Sequence, residues 1–221
     1  LMRARGFTQD DAHVFCREDQ VVDEVVAILD LADNIMKEFG FEYEAEISTR
    51  PEKSIGTDAM WEFAEGALKE AITRRGLKYE INPGDGAFYG PKIDFHLEDS
   101  LGRTWQCGTI QLDFQMPLNF ELEYTDEKGE KQRPIMIHRV CFGSIERFIG
   151  VITEHFAGKF PVWLAPTQAK VLLVSEKCAE YGTKVYEALR AAGIRVELDD
   201  RNEKIGYMIR EAQVVDRVPY M

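Results

Sequence analysis

The chain has 221 residues, of which 45% are hydrophobic and 30% charged, and its formal net charge is −12. A chain of this length forms one large domain, or one domain and part of another. No apolar run approaches the roughly 18 residues that a membrane-spanning helix needs, and no signal peptide opens the chain. The acidic balance argues against a nonspecific nucleic-acid binder, although it leaves room for RNA contact through a local basic surface.

The four cysteines are scattered, without CxxC or paired spacing. They are Cys16, Cys107, Cys141 and Cys178. Reduced thiols in a cytoplasmic protein fit this pattern better than a disulfide framework. The chain begins at Leu1 rather than at a methionine and ends at Met221, on the approach to a strand, so we expect truncation at both ends.

Two stretches in the first third have the apolar spacing of amphipathic helices. Residues 21–39 repeat apolar side chains at i, i+3, i+4 and i+7. Residues 58–74 follow Thr57 or Asp58 as the N-cap and end before Gly76. The predicted buried face of this second helix consists of Met60, Phe63, Ala64, Ala67, Leu68 and Ala71.

Strands are predicted next, because the apolar period changes to two. Residues 93–97 alternate apolar and polar side chains, and a turn leads into a second strand at 104–114. A polar turn between 122–124 and 133–137 predicts a hairpin. Consecutive strands without helices between them indicate an antiparallel sheet. A helix is predicted next, at 143–156.

Residues 159–166 break the pattern and form the predicted domain boundary. Beyond it we predict a strand at 170–174, a helix at 179–192, a strand at 194–198 and a helix at 204–212. Alternating strands and helices indicate a parallel or mixed sheet. The predicted fold class is therefore α+β, with an antiparallel-sheet domain at 1–160 and a partial α/β domain at 166–221.

Several segments resemble, in order, those of class II aminoacyl-tRNA synthetases. Residues 3–16 (RARGFTQDDAHVFC) are similar to the second half of motif 2, and 143–147 (GSIER) to motif 3 with its hallmark arginine. Residues 86–92 (GAFYGPK) and 106–114 (QCGTIQLDF) are similar to substrate-site strands of the threonyl-tRNA synthetase family. Residues 201–206 (RNEKIG) resemble its anticodon-binding domain, so the resemblance spans essentially the whole chain.

The resemblance implies a class II catalytic core, truncated at its start, and an anticodon-binding domain, truncated at its end. The implied reaction is ATP-dependent ligation of threonine to tRNA(Thr) through a threonyl-adenylate, with Mg²⁺ accompanying ATP and a homodimer as the full-length form. Positioning and positive charge supply most of the acceleration in such phosphoryl chemistry, so no side-chain nucleophile is needed.

The resemblance also implies individual roles around the nucleotide. The catalytic candidates are Arg147, Arg3 and Gln111. The candidates for ATP binding are Arg3, Phe7, Gln106, Thr109, Ser144 and Arg147. A guanidinium such as that of Arg147 can stack on a purine and still reach phosphate, although an arginine without such a motif is usually a solvated surface charge.

Two histidines, His13 and His138, match zinc ligands of the family, whose cysteine ligand would precede residue 1. Three protein ligands leave a zinc position open for the hydroxyl of threonine, whereas an apolar pocket distinguishes an isostere such as valine by only ~1–3 kcal/mol. Without the resemblance, two such distant histidines are usually ordinary core or surface residues. Cys16 lies on the opposite strand face from His13, so we expect the chain alone to bind zinc weakly or not at all.

The implied threonine-binding residues are Gln9, Asp11, Tyr89 and Gln111. Asp11 is two residues from His13 and so shares its strand face, where it can accept a hydrogen bond from the threonine hydroxyl. The alternative is a solvated turn at Asp10 and Asp11.

Glycines shape the predicted site. Gly86 and Gly90 permit close backbone approach beside Tyr89. Gln106 and Gln111 share one face only if their strand contains a bulge, for which Gly108 is the predicted place.

In the second domain, Asn202 and Arg210 match positions that contact anticodon bases. An amide and a guanidinium can each pair bidentately with a base edge in a single-stranded loop. Arg201 and Lys204 are expected to add local positive charge.

The residues leave two alternatives. One is another class II synthetase, of the prolyl, seryl or histidyl type; the other is a synthetase-like binding or regulatory protein without catalysis. The chain also lacks motif 1, the opening of motif 2 and any editing domain. We therefore expect an enzyme as the parent protein and an inactive chain in isolation.

Overall fold

A computed structural model describes residues 2–221, which divide into two compact units, one extending to Val151 and one covering Ile152–Met221. The division falls inside the helix Ile145–His155. The domain boundary at 159–166 stays a prediction. Within residues 2–221, no helix combines the length and the apolar character that a membrane span requires.

The first unit is built on a six-stranded sheet. Its elements in chain order are β1 (Ala12–Cys16), α1 (Val21–Glu38), β2 (Glu44–Ser48), α2 (Asp58–Arg74), β3 (Tyr79–Asn82), β4 (Lys92–Glu98), β5 (Thr104–Asp113), α3 (Gln115–Asn119), β6 (Tyr124–Thr125), β7 (Lys131–Gln132), β8 (Ile135–Val140) and the start of α4 (Ile145–His155). The strand order is β1-β8-β5-β4-β2-β3, and β6 and β7 form a separate ribbon. Every pair in the main sheet is antiparallel except β2 with β3, which confirms the predicted fold class.

The hydrophobic core lies on one face of this sheet, beneath α1 and α2. Ile93, Phe95 and Ile110 are at most 1% exposed and belong to the same buried cluster as Leu29 of α1 and Leu68 of α2. Because side chains alternate along a strand, the intervening residues of β4 and β5 point to the other face, which is polar. The helices therefore leave one face of the sheet available for a site.

Both predicted helices of the first unit are confirmed, but the buried face of α2 was partly wrong. Thr57 is the N-cap, and its hydroxyl accepts the Met60 N–H at 3.3 Å. Met60 is only half-buried, as is Phe63, whereas Trp61 is 4% exposed. The indole of Trp61 can be buried because its Nε1 donates to the Ile55 carbonyl at 2.8 Å, a partner that lies outside the helix.

Two strands and one helix were missed in the sequence. β2 and β3 are only five and four residues long, so each shows no more than two apolar residues in alternation, which is too brief a pattern to identify a strand. α3 has only five residues. The predicted hairpin is present only as the short ribbon of β6 and β7, and residues from Ile135 onward pair with β1 and β5 instead.

The predicted bulge in β5 is present. His96 of β4 pairs with Gln106 and Asp94 pairs with Thr109, so β5 has one extra residue at Cys107–Gly108. A Cβ on Gly108 would lie 2.7 Å from the Phe95 ring and 2.8 Å from the Cys141 carbonyl oxygen. The absent side chain is therefore what lets the bulge pack against the core.

The second unit has a two-stranded parallel sheet and two helices after the end of α4. Its elements are β9 (Ala169–Leu172), α5 (Ala179–Ala191), β10 (Val196–Asp199) and α6 (Ile205–Val214). Arg195 donates to the carbonyls of Trp163 at 2.9 Å and of Ala165 at 2.8 Å, which ties the preceding segment to this unit. The alternation of strands and helices predicted here is confirmed.

Replacing Gly108 with alanine should destabilise the first unit. We expect Gly108→Ala to lower the free energy of unfolding by about 1–3 kcal/mol, because the added methyl overpacks against backbone carbonyls that cannot move away. Gly66→Ala is the matched control: Gly66 lies in α2 with nothing within 4 Å of its Cβ position, so we expect a gain of about 0.5–1 kcal/mol. Urea unfolding followed by tryptophan fluorescence measures both. Equal effects of the two substitutions would contradict the tight packing at the bulge.

Candidate active site

The two histidines meet on the polar face of the sheet. His13 in β1 is the direct antiparallel partner of His138 in β8, and their ring centroids lie 4.7 Å apart. One ligand atom from each, together with a carboxylate oxygen of Asp11, lies within 4.8 Å of the others. The cross-strand register alone thus brings together three side chains of the kind that bind a transition metal.

Asp10 and Asp11 have different surroundings. The Asp10 carboxylate accepts the backbone N–H groups of Cys141 at 2.9 Å and Phe142 at 3.0 Å, so it ties the start of β1 to the end of β8. Asp11 points to the histidine side instead. The alternative of a solvated turn at both residues does not describe Asp10, which has a structural partner.

His138 has a buried carboxylate behind it. Nε2 of His138 lies 2.8 Å from Oδ2 of Asp113, which is 1% exposed. Burial raises the pKa of Asp113, but the hydrogen bonds from His138 and from the N–H groups of Met116 and Gln115 outweigh it, and the net pKa is lowered. The carboxylate therefore holds one ring nitrogen of His138, and Nδ1 is the nitrogen left for another partner.

Tyr89 joins the histidines to β5. Its ring centroid is 5.7 Å from that of His138, and its hydroxyl donates to Oε1 of Gln111. Burial raises the pKa of Tyr89, as do the charges of Asp113 and Asp11, so the phenol keeps its proton. A Cβ at Gly90 would fall on the Leu112 carbonyl oxygen, so the close backbone approach predicted beside Tyr89 is confirmed.

The two glutamines of β5 reach one polar network, as the bulge predicts. Gln106 donates to Oδ1 of Asp94 at 2.6 Å, and the Thr109 hydroxyl donates to the same oxygen at 3.0 Å. Gln111 in turn donates to the Thr109 hydroxyl at 3.4 Å. Without the extra residue, strict alternation would have separated Gln106 from Gln111.

A second group surrounds Trp105. The guanidinium of Arg147 lies 5.4 Å from the ring centroid of Trp105, and that of Arg3 lies at 6.0 Å. Arg147 also donates to the Gln106 carbonyl at 2.9 Å. The Arg103 guanidinium lies 5.7 Å from the same centroid. The indole N–H of Trp105 donates to the buried Asp99 at 2.9 Å, which fixes the ring among these three cations.

The segment that contains Phe7 and Gln9 is tied to the start of α4. Gln9 forms an isolated bridge with Ser144, and the Thr8 N–H donates to the Glu146 carboxylate at 3.0 Å. The Ser144 hydroxyl accepts the Arg147 N–H at 3.3 Å. Phe7 is 54% exposed. The structure thus brings the predicted motif 2 and motif 3 residues together at their backbones.

The anticodon candidates lie on the surface of the second unit. Asn202 is exposed, as is Arg210. Arg201 does not supply free positive charge, because its guanidinium donates to Asp199 at 2.8 Å and to Glu211. The expectation of local basic charge at Arg201 was therefore wrong.

Sequence reasoning missed the buried acids that hold the site. They are Asp94, Asp99 and Asp113. Asp94 and Asp113 lie in strands between apolar neighbours, and Asp99 directly follows the end of β4. A carboxylate buried at such a position is costly unless donors surround it. That burial cost is the signal that the sequence offered for them.

Comparison with known proteins agrees with this architecture. A family model described as the tRNA synthetase class II core domain (G, H, P, S and T) matches residues 1–156, and one described as an anticodon binding domain matches 168–221. The chain therefore belongs to the class II aminoacyl-tRNA synthetase family.

Its relatives are threonine–tRNA ligases. The chain is 66% identical to that of Caldanaerobacter subterraneus subsp. tengcongensis and 62% identical to that of Carboxydothermus hydrogenoformans, over all 221 residues. These 221 residues span 34% and 35% of those proteins, about a third of their length. A crystal structure described as the RNA binding domain of threonyl-tRNA synthetase from Cryptosporidium parvum Iowa II is 46% identical with a TM-score of 0.90, covering 97% of this chain and 54% of that one.

Thiol accessibility tests the burial of the cysteines. Burial raises the pKa of Cys16 and of Cys107 to about 11 and raises that of Cys141, whereas Cys178 is exposed. Because the thiolate is the reactive form, we expect one fast-reacting thiol in the native chain at pH 8 and four after denaturation, measured with a chromogenic disulfide reagent. Cys178→Ser should remove the fast phase. A second fast thiol in the native chain would contradict the burial of the other three cysteines.

Proposed function

We propose that this chain is the catalytic core and the first part of the anticodon-binding domain of a threonyl-tRNA synthetase. The proposed reaction is the ATP-dependent activation of threonine as an adenylate, followed by its transfer to tRNA(Thr). The observation that carries the proposal is the convergence of His13, His138 and Asp11 within 4.8 Å, beside Tyr89. The identity to threonine–tRNA ligases supports it.

The residues on the polar face fit a zinc ion. Two imidazoles and a neighbouring carboxylate are a donor set that zinc accepts, and Asp113 orients one imidazole as outer carboxylates do in zinc proteins. His13 and His138 would hold the ion, and the family's cysteine ligand would come from outside the 221 residues. When bound, the ion supplies an open position for the amino and hydroxyl groups of threonine.

Selection of threonine over valine then needs a polar pocket. Asp11 accepts a hydrogen bond from the threonine hydroxyl, and Tyr89, Gln9 and Gln111 line the same side. A site that must pair a hydroxyl rejects an isostere lacking it far more strongly than an apolar pocket does, because its own polar groups would be left unpaired. Serine also has a hydroxyl, so this pocket admits it.

The nucleotide end of the site is the cluster at Trp105. Arg147 and Arg3 lie over one indole, where their two guanidinium groups stabilise the charge that develops on the triphosphate. Phe7 offers an exposed ring for the adenine, Gln106, Thr109 and Ser144 supply polar contacts to ATP, and Mg²⁺ accompanies the phosphates. In the second unit, Asn202 and Arg210 contact the anticodon. The full-length protein acts as a homodimer.

The exchange of pyrophosphate into ATP tests the activity. In the full-length protein we expect exchange that depends on threonine, occurs with serine and is absent with valine. His13→Ala and His138→Ala should each lower kcat/KM for threonine by at least about 100-fold, since each removes a metal ligand. His155→Ala, at the end of α4, is the matched control and should leave exchange unchanged.

Two outcomes would contradict the proposal. Exchange that depends on proline, serine alone or histidine would make the chain part of another class II synthetase. Absence of exchange with every amino acid would favour a binding protein without catalysis. The isolated 221-residue chain should show no exchange, and measurable threonine-dependent activity from it would overturn the expectation that it is incomplete.

Asp113 should control zinc affinity in the full-length protein. Asp113→Asn keeps Oδ1, which accepts the Gln115 N–H at 2.7 Å, but loses the negative charge opposite His138. We expect zinc affinity to fall about 10–100-fold, measured by competition with a chelator. Asp126→Asn is the matched control, because Asp126 also accepts backbone N–H groups through Oδ1, in the turn between β6 and β7. Equal zinc affinity of both variants would exclude this role for Asp113.

A further inference from the structure

The polar face of the sheet contains a buried carboxylate at its centre, that of Asp94. It is 1% exposed, and its neighbours Ile93 and Phe95 point into the core beneath α1 and α2. A buried carboxylate costs several kcal/mol unless donors surround it. Burying the charge of Asp94 therefore lowers the stability of the fold unless hydrogen-bond donors offset the cost.

Four side chains donate to Asp94, from three strands. Oδ2 accepts the Ser48 hydroxyl of β2 at 3.0 Å and the ammonium group of Lys92, and Oδ1 accepts Gln106 at 2.6 Å and Thr109 at 3.0 Å. Lys92 also contacts Asp85 at 3.3 Å. Both carboxylate oxygens are thus in use, and Lys92, Gln106 and Thr109 are oriented by one acceptor.

The network continues to the residues proposed to bind threonine. Because the Thr109 hydroxyl donates a hydrogen bond to Asp94, the Thr109 oxygen accepts one from the side-chain amide of Gln111. The amide of Gln111 is then turned with Oε1 toward the Tyr89 hydroxyl, which donates to it. A carboxylate can only accept hydrogen bonds, so the charge on Asp94 sets the direction of every bond in this chain.

A bound metal ion is not needed to explain the acidic groups around Asp94. Carboxylate oxygens of Glu46, Asp85 and Asp94 lie within 4.8 Å of one another, which resembles a metal site. The ammonium group of Lys92 contacts two of the three, and Glu46 accepts the side-chain amide of Asn82 at 2.8 Å. Lys92 therefore supplies the positive charge that this cluster needs.

We propose that Asp94 is a positioning residue for the adenylation step, acting through Lys92 and Gln106 directly and through Thr109 on Gln111 and Tyr89. The inference rests on the proposed function. Asp94 lies beneath the side chains that face the substrates and does not itself touch them. Its role is to keep a lysine, two amides and a phenol in fixed orientations before threonine and ATP arrive, which lowers the cost of reorganisation during the reaction.

The test compares two substitutions in the full-length protein. Asp94→Asn keeps the shape of the side chain, removes its charge and adds a donor. It can therefore reverse the hydrogen bond between residue 94 and Thr109, and with it the hydrogen bond between Thr109 and Gln111. Asp94→Glu keeps an acceptor-only charge but enlarges the side chain. In threonine-dependent pyrophosphate exchange we expect Asn to lower kcat about 10–100-fold with KM values for ATP and threonine changed less than about threefold. Glu should retain more activity than Asn.

The control is Asp33→Asn. Asp33 is a buried aspartate of α1 that also pairs with a lysine, Lys37, at 2.7 Å, and it lies on the helix side of the sheet. The Asp33→Asn substitution should change the thermal midpoint of unfolding without changing kcat. If Asp94→Asn fails to fold, Thr109→Val breaks the link between Asp94 and Gln111 and should lower kcat about tenfold, with the KM for ATP changed less than about threefold. Thr109→Ser keeps the hydroxyl and should be less impaired in kcat than Thr109→Val.

The outcomes separate this inference from the proposed function. Threonine-dependent exchange in the wild type, with Asp94→Asn within about twofold of it, would overturn the positioning role and leave the function standing. Activity of Asp94→Asn above that of Asp94→Glu would show that shape matters and charge does not. No threonine-dependent exchange in the wild type would overturn the proposed function itself.

Discussion

The candidate site depends on the register between β1 and β8. His13 faces His138 only because Ala12–Cys16 pairs with Ile135–Arg139 in one alignment, and a slip of one residue would turn the His13 side chain to the helix side of the sheet. Two carboxylates hold the alignment where β1 begins. Asp10 binds the backbone N–H groups that follow β8, and Glu146 binds the Thr8 N–H. The register is therefore enforced by charge-assisted hydrogen bonds as well as by the strand ladder.

Buried acids organise the rest of the polar face. Asp113 holds His138, Asp99 holds the Trp105 indole, and Asp94 holds Lys92 with the side chains of β5. Each carboxylate is costly to bury, and the cost is offset by several donors that it orients in return. These hydrogen bonds hold the side chains of the face in defined orientations. Fixed orientations are what the proposed reaction requires, because it is governed by position and electrostatics.

The elements with strong local signals were predicted from the sequence. α1 and α2 have apolar side chains at helical spacing and recognisable ends, and β4 alternates strictly. The bulge at Gly108 was also predicted, because two glutamines of odd spacing were expected on one face. β2 and β3 were missed, since their alternation extends over only five and four residues and their place in the sheet depends on partners elsewhere in the chain. The buried face of α2 was partly wrong because Trp61 finds its hydrogen-bond partner outside the helix.

The sequence by itself determined the longer helices, the class of the fold, the resemblance to class II synthetases and the choice of His13, His138, Asp11 and Tyr89 as candidates. These depend on local periodicity and on ordered motifs, which a linear chain displays directly. Only the tertiary structure decided that the two histidines are cross-strand neighbours and that Asp113 and Asp94 lie behind the site. Those facts depend on strand pairing between residues far apart in the chain and on burial, and neither quantity exists until the sheet has formed.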